Sequence, residues 1–299
     1  MTVLDGLATE GVRPGLEDLD TRTAGEVALL VLAAERAAVA AMDRAGPSLA
    51  AAADAVAARM MVGGRLFTLG AGTPGRLAVL DAAELGPTFS APPGLVVPIL
   101  AGGMAAMVEA AEGAEDDAEA AGRALAAHGL GAGDAVVGIT ASGRTPFVLG
   151  GLQYARCVGA LTVGVVNVAG SALAGVAEML VEVLTGAELI AGSTRMTAGT
   201  AQKVALNALS TACMVALGKT YGARMVDVRA TNDKLRRRAV RTLCEVAGVS
   251  EAEAMAALAA SGGGVKVALV MVLAGVNADV ATARLAACGG RVRGAVARA

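Results

Sequence analysis

Aromatic and histidine side chains are scarce in this sequence, and their scarcity excludes several kinds of site. Trp is absent, there are two Tyr and three Phe, and the single His is His128. Aromatic platforms on which nucleic-acid bases stack are therefore not expected. The formal net charge of -2 adds no general attraction for nucleic acid or for an anionic membrane surface. The sequence predicts no nucleic-acid partner, and any basic site must be local.

The four cysteines lack the spacing of a metal site or of a disulfide framework. They lie far apart, no CxxC pair occurs, and a single His is too few to complete a set of metal ligands. This pattern favours buried structural thiols in a reducing compartment and predicts no metal site. The cysteines are Cys157, Cys213, Cys244 and Cys288.

Long hydrophobic runs are missing as well. The longest apolar run near the carboxyl end covers residues 267–274, well short of the roughly 20 residues that a membrane span needs. Near the amino terminus, Asp5 and Glu10 stand where a signal peptide would have basic and then apolar residues. These absences predict a cytoplasmic protein with no membrane partner.

The sequence is rich in apolar residues that follow alternating patterns. Of the 299 residues, 55% are hydrophobic and 17% are charged, which is ample for a large core. Apolar runs typical of buried strands alternate with helical patterns, which predicts an α/β fold whose parallel sheet is covered by helices on both faces. Pro47 is expected to separate two helices, and one long helix is expected over 197–217. The predicted strands are 66–69, 95–100, 135–139, 161–166 and 179–183.

The carboxyl-terminal part of the chain has a different pattern. From residue 232 onward only helical segments are indicated, with short breaks at the glycines of 261–264 and 289–290. We therefore predict a sheet domain with amino-terminal helices over 1–235 and a small helical region over 236–299. Ligands of parallel sheets bind beyond the carboxyl ends of the strands, and the glycine-rich loops of this sequence fall there.

The first glycine-rich loop, GAGTPGRL, follows the strand predicted at 66–69. Thr73 is placed to cap the next helix, and Pro74 fits the first turn of that helix. Gly70, Gly72 and Gly75 allow a ligand to approach the backbone, and the N–H groups of a helix start suit a phosphate. An ordinary tight turn would use the same residues. The GxGxxG spacing also occurs in dinucleotide folds, but no acidic residue follows at the end of the second strand.

A second loop, GITASGRTP, again leaves an apolar strand and again ends in Thr-Pro before a helix. It offers the hydroxyls of Thr140, Ser142 and Thr145 together with the cation of Arg144. Two helix starts of this kind favour phosphate binding over simple turns. A third segment, GSTRMTAGTAQK at 192–203, places hydroxyls and two cations at the start of another helix and is expected to close the same pocket.

Carboxylates are the expected acid–base groups of this chain. His128 precedes a glycine at a helix end, where a surface position is expected. Glu84 ends an apolar helix face, and partial burial there would raise its pKa enough to make it a useful proton donor, whereas an exposed helix-end charge is the equal alternative. The acidic run at 112–117 is typical of a solvated helix start.

Several longer segments of the sequence, called the family segments below, together resemble one family, the N-acetylmuramic acid 6-phosphate etherases of the sugar isomerase (SIS) fold. They occur in family order over most of residues 66–235, and the tail CGGRVRGAV is similar too. Together they are far more specific than any single glycine loop. The family segments are GAGTPGRL, DAAELGPTF, AGG, EGAEDD, VVGITASGRTPFV, GSTRMTAGTAQKVALNALST and GKTYGARMVDVRATNDKL.

The resemblance implies a three-layer αβα SIS domain, a homodimer with sites near the subunit interface, and cleavage of the lactyl ether of N-acetylmuramic acid 6-phosphate. The products would be N-acetylglucosamine 6-phosphate and D-lactate, formed by elimination and water addition without a cofactor. Glu84 and Glu115 match the two catalytic glutamates of the family. The proton-donor role falls on Glu84, and which of the two removes the C2 proton stays open. The candidate substrate- and phosphate-binding residues are Gly72, Thr73, Gly75, Arg76, Ser142, Gly143, Arg144, Thr145, Ser193 and Thr194.

The chain also departs from the family pattern. The family usually has Ser where Pro74 stands, Lys where Thr197 stands and Cys-Pro where Leu85 and Gly86 stand, and its opening Asn-Pro is not recognisable after residue 9. These changes bear on phosphate affinity and on the preferred sugar. Two other functions compatible with the fold are a non-catalytic sugar-phosphate sensor and an aldose–ketose sugar-phosphate isomerase.

Overall fold

The chain divides into two units in a computed structural model that describes residues 8–227 and 233–297. The sheet unit comprises residues 8–82 and 94–210, and the helical unit comprises 83–93, 211–227 and 233–297. The predicted division of the chain after residue 235 stays a prediction. Asp5 lies outside the described residues, and so do residues 228–232, which belong to the last of the family segments.

The sheet unit is built on a five-stranded parallel sheet, as the alternation of strands and helices predicts. The strand order is β2-β1-β3-β4-β5. Every residue of β1, β3 and β4 is buried, and successive side chains of a strand point to opposite faces, so both faces of the sheet centre are covered. The strands are β1 (Leu66–Gly70), β2 (Val96–Leu100), β3 (Ala135–Thr140), β4 (Leu161–Val166) and β5 (Met179–Glu182).

The helices of the sheet unit differ from expectation at Pro47. The first helix, α1 (Ala24–Met61), begins at a capping box formed by Thr23 and Glu26 and continues through Pro47, so the predicted break is wrong. Pro47 is exposed, and on that side water can take over the carbonyl that the proline leaves without a partner. The remaining helices that belong wholly or partly to this unit are α2 (Gly72–Phe89), α3 (Ala120–Ala127), α4 (Pro146–Val158) and α5 (Thr197–Ala216).

The second helix also runs further than the sequence predicts. It passes Glu84 and Pro87 and ends at Phe89, so Glu84 is not its last residue. Leu85 and Phe89 on this last stretch are buried, and their burial holds the helix together across the missing N–H of Pro87. The long helix predicted over 197–217 is confirmed as α5.

The helical unit contains the carboxyl-terminal helices, as predicted, and one short hairpin that the sequence does not reveal. The core of the helical unit includes the fully buried Leu243 and Leu269. The hairpin consists of β6 (Thr220–Tyr221) and β7 (Arg224–Met225), and the helices are α6 (Asp233–Ala247), α7 (Glu251–Ala260), α8 (Val265–Ala274), α9 (Ala278–Ala287) and α10 (Val292–Ala297). Within the described ranges, no single helix is long and apolar enough to cross a bilayer, although α8 and α9, bent by 103°, pass that test as a pair.

The four cysteines differ in burial: Cys213 is buried, Cys157 is exposed, and Cys244 and Cys288 are half-buried. Cys213 lies at 0% exposure, and burial raises the pKa of its thiol to about 12. Cys157 is exposed, which contradicts the expectation of buried thiols for all four. Cys157 occupies the solvent side of α4, where helix periodicity turns it away from the sheet.

An ion pair at the amino ends of β1 and β3 stabilises the sheet unit. The guanidinium of Arg65 lies 2.8 Å from Asp134, and this carboxylate also accepts hydrogen bonds from the N–H groups of Arg65 and Gly131. Burial alone would raise the pKa of Asp134, but these hydrogen bonds outweigh burial and lower it.

We expect Asp134→Asn to lower the free energy of unfolding by about 1–3 kcal/mol at pH 7, because partly buried donors lose their charged acceptor. Because the folded-state pKa is depressed, this stabilisation is present above pH 3.8 and is lost as the pH falls through the folded-state pKa. Urea unfolding at pH 7 and pH 3 should therefore show the gap between wild type and variant shrinking at pH 3. Asp54→Asn, at an exposed carboxylate of α1, is the control. An equal gap at both values would contradict the prediction.

Candidate active site

The two glycine-rich loops lie side by side at the carboxyl edge of the sheet. Strands β1 and β3 are neighbours, with Gly70 opposite Ile139, so the loops that leave them are adjacent. Helix α2 follows the first loop and α4 follows the second, as predicted. The cap predicted at Thr73 is wrong, because α2 begins at Gly72, whose φ is 58°, and Thr73 already lies inside the helix.

The first loop is closed by contact between two glycine backbones. A Cβ on Gly70 would lie 2.7 Å from the amide nitrogen of Gly75, and a Cβ on Gly75 would overlap the carbonyl oxygen of Gly70. Only glycine fits at either position without shifting the backbone. Pro74 is buried between them in the chain and supplies no N–H, so the first turn of α2 has one donor fewer than its length allows.

The second loop holds its hydroxyls in a defined arrangement. Thr145 is the N-cap of α4 and Pro146 its first residue, as predicted, but the Thr145 hydroxyl does not cap the helix. It lies 2.8 Å from the hydroxyl of Thr140 instead. Gly143 has a φ of 67° and its Cα faces Ser171 so closely that a Cβ would overlap that side chain. The Arg144 N–H donates to the Ser142 hydroxyl at 3.3 Å.

The segment between β2 and α3 brings Glu115 to these loops. The N–H of Phe147, in the first turn of α4, donates to the carbonyl of Glu115 at 3.0 Å. Arg76 of α2 donates from Nε to the carbonyl of Ala106 at 2.8 Å. Both ends of this irregular segment are therefore tied to the helices that follow the glycine loops. The acidic run leads into the start of α3, as predicted, because its last residue, Asp117, accepts hydrogen bonds from the N–H groups of Glu119 and Ala120.

One cavity of the sheet unit unites residues that the sequence singles out. Its volume is about 280 Å³, and Gly72, Arg76 and Glu115 all line it. Glu115 is exposed, so its carboxylate is accessible from solvent. The other lining residues are Ala71, Ala101, Ala106, Ala110, Ala111, Glu112, Gly113 and Ala114. Small apolar side chains thus surround one cation and two carboxylates.

Glu84 belongs to the part of α2 that lies in the helical unit. Its side chain is exposed, which agrees with the exposed charge and not with the partly buried carboxyl that the sequence leaves equally possible. Its neighbour Leu85 is buried and fixes the rotation of the helix at this point. Glu84 belongs to the helical unit and Glu115 to the sheet unit.

The third segment reaches the first loop, but its helix start is already occupied. A Cβ on Gly199, in the first turn of α5, would lie 3.2 Å from Cγ2 of Thr73, so the two segments pack together. The carboxylate of Glu188 accepts hydrogen bonds from the N–H groups of Thr197, at 3.0 Å, and Ala198, at 2.8 Å. These donors are therefore not available to a phosphate. The contribution expected from this segment rests on Ser193 and Thr194, which are half-buried.

Sequence reasoning missed one buried and one partly buried carboxylate. Glu188 is 1% exposed, and the only sign of it in the sequence is a single acidic residue in the otherwise uncharged stretch 183–194. Asp81 of α2 accepts a hydrogen bond from Ser210 of α5 at 3.1 Å, and burial raises its pKa. No pattern in the sequence distinguishes Asp81 from an exposed helical carboxylate. His128 is exposed at the end of α3, as predicted.

Metal ligation has no candidate in residues 8–227 and 233–297, where no group of three or more His, Cys, Asp or Glu side chains is placed to hold an ion. The geometry offers hydrogen-bond donors and a cation at two adjacent loops, with a carboxylate beside them. Such a site can bind a phosphorylated small molecule and exchange protons with it.

Comparison with known proteins shows sequence similarity over most of the chain. The N-acetylmuramic acid 6-phosphate etherase of Streptomyces avermitilis is 51% identical over 270 residues, which cover 90% of this chain and 87% of that protein. The enzyme of the same name from Escherichia coli is 46% identical and covers 90% of this chain and 91% of its own. The model of the glucokinase regulatory protein N-terminal SIS domain matches residues 48–156. A phosphoheptose isomerase structure from Francisella tularensis superposes with a TM-score of 0.49 at 18% identity, covering 64% of this chain and 96% of its own.

Proposed function

This chain belongs to the N-acetylmuramic acid 6-phosphate etherases, and from that membership we propose how its residues divide the work of the reaction. The protein is a carbon–oxygen lyase of amino-sugar catabolism. It cleaves the D-lactyl ether of N-acetylmuramic acid 6-phosphate to give N-acetylglucosamine 6-phosphate and D-lactate. The observation that carries this function is 51% identity to a named etherase over 90% of the chain.

The phosphate of the substrate is held at the two glycine-rich loops. Three features support this placement: the adjacency of β1 and β3, the close glycine contact of the first loop, and the paired hydroxyls of Thr140 and Thr145. Oriented backbone N–H groups and hydroxyls bind a phosphate without needing a large net charge. The proposed ligands are Gly72, Thr73, Gly75, Arg76, Ser142, Gly143, Arg144, Thr145, Ser193 and Thr194.

The sugar is proposed to extend toward Glu115. In the open-chain aldehyde the C1 carbonyl acidifies the hydrogen on C2, so a carboxylate can remove it. Glu115 suits this role because it is accessible and lines the same cavity as Gly72 and Arg76. The electron pair left at C2 then expels the lactate oxygen from C3.

Glu84 is proposed to protonate the departing lactate oxygen. A carboxyl group that donates a proton near neutral pH must first be removed from water, because desolvation favours its neutral form. Glu84 is exposed in the single chain, so bound substrate or a second subunit has to cover it. This requirement supports the proposal of a homodimer with sites near the subunit interface. Water then adds at C3 of the unsaturated sugar to complete the reaction.

Two other functions are less well supported. A sensor or an aldose–ketose isomerase would use the same fold, and the matched regulatory-protein domain covers residues 48–156 alone. Similarity to etherases instead spans both units. We retain the cytoplasm as the proposed location of the protein.

Release of D-lactate from N-acetylmuramic acid 6-phosphate by the purified protein, without added metal, tests the proposed function. We expect stoichiometric formation of D-lactate and N-acetylglucosamine 6-phosphate. Glucosamine 6-phosphate and fructose 6-phosphate serve as parallel substrates, and their interconversion would indicate an isomerase. Binding of the substrate with no lactate release would indicate a sensor.

A further inference from the structure

The helical unit contains a cavity that the proposed reaction does not use. Its volume is about 840 Å³, within the range of pockets that bind small metabolites. All of its lining residues lie in the helical unit, on the segment after α2, beside the β6–β7 hairpin, and at the start of α8. They are Ser90, Ala91, Pro92, Pro93, Lys219, Asp227, Ser261, Gly262, Gly264, Val265, Lys266 and Val267.

Two lysines in the wall of this cavity share one carboxylate oxygen. Nζ of Lys219 lies 2.7 Å and Nζ of Lys266 lies 3.0 Å from Oδ2 of Asp227. The lysine side chains are 15% and 12% exposed, so most of the surface of each is removed from water. Among the described residues that line the cavity, Asp227 is the only acidic one. The cluster therefore carries one positive charge that the lining does not neutralise.

Burial makes this uncompensated charge costly. An ammonium group loses hydration when it is buried, and a single carboxylate cannot fully compensate two such groups. Burial lowers the pKa of Lys266, and Lys219 lowers it further, against the opposing effect of Asp227. An additional anion next to the lysines would relieve this imbalance.

The start of α8 adds positive potential to the same wall. Its N-cap is Gly264, and no side chain caps the helix. The positive end of a helix dipole normally attracts acidic side chains, whereas here Lys266 occupies the first turn. Lys219, Lys266 and the first turn of α8 thus all favour a negative group in the cavity.

We propose that this cavity of the helical unit binds a metabolite-sized oxyanion of the phosphate or carboxylate class, with Lys219 and Lys266 as its ligands. The described residues of this site belong to the helical unit, whereas the glycine-rich loops belong to the sheet unit. Its occupancy stabilises the helical unit by mass action and does not require ether cleavage.

Calorimetric titration of the full chain with inorganic phosphate, and separately with citrate, tests the proposal. Phosphate also has a proposed site at the glycine-rich loops, so differences between variants identify binding in the helical unit. Lys219→Met and Lys266→Met should each weaken the second binding event about tenfold, because one close charge is lost. Arg238→Met, at an exposed arginine of α6 outside the cavity lining, is the control and should bind as wild type does.

The Asp227→Asn variant distinguishes an anion site from a purely structural ion cluster. Removing the carboxylate leaves two uncompensated lysines, so the proposal predicts tighter anion binding and a larger anion-induced rise in melting temperature. A structural cluster predicts lower stability with no gain in anion binding. Equal titrations for wild type and all variants, or the absence of a second binding event in wild type, would overturn the proposal. Because Asp227→Asn acts in the opposite direction, a lysine variant that fails to fold does not remove the test.

Discussion

Replacement of Glu84 or Glu115 by Gln is expected to lower the rate of D-lactate release by about 10²–10⁴-fold, the usual contribution of a positioned acid or base. Gln keeps the size of Glu and its hydrogen-bonding reach but can neither donate nor accept the transferred proton. The kcat for N-acetylmuramic acid 6-phosphate should fall much more than its KM rises. Glu109→Gln, at an exposed glutamate of the same irregular segment, is the control and should retain wild-type rates.

Hydrogen exchange at C2 separates the roles of the two glutamates. In deuterated water, the Glu84→Gln variant should still exchange the C2 hydrogen of the substrate while releasing almost no lactate, because removal of the C2 proton does not need the proton donor. The Glu115→Gln variant should lose both exchange and lactate release. The reverse pattern would assign proton removal to Glu84, and unchanged rates in both variants would reject the catalytic roles of these residues.

Gly75→Ala is expected to have the largest effect of any substitution in the first loop. The added Cβ would overlap the carbonyl oxygen of Gly70 and approach a methyl group of Leu100, so the loop and the start of α2 must move apart. We expect a loss of about 3 kcal/mol in the free energy of unfolding, at the upper end of overpacking effects. The KM for the sugar phosphate should rise at least about tenfold, because phosphate ligands displaced by 1 Å lose their alignment.

Gly86→Ala on the same helix is the matched control for stability. No atom lies within 4 Å of the position of its Cβ, and its φ is not positive. Alanine favours helix more than glycine does, so this variant should be as stable as wild type or slightly more stable. Guanidinium unfolding of both variants measures the difference. A Gly75→Ala protein with wild-type stability and KM would show that the loop tolerates a side chain.

The sequence by itself determined the order of the elements and the location of the glycine-rich loops. Strands such as β1 and β3 are buried on both faces, so their apolar runs are continuous and stand out from the helical patterns around them. The loop that follows each strand carries glycine, hydroxyl and proline residues, whose backbone preferences are local. The family segments identify the two glutamates, because each segment is compared as a whole with the family pattern.

Tertiary packing alone decided where helices pass through proline and which distant groups meet. Buried neighbours carry α1 past Pro47 and α2 past Pro87, although local propensity favours a break at both. The bond from Phe147 to Glu115, and the one from Lys266 to Asp227, join residues far apart in the chain. Periodicity records which face of an element is apolar, but it carries no information about which polar groups the fold will place together or about which of them will be removed from water.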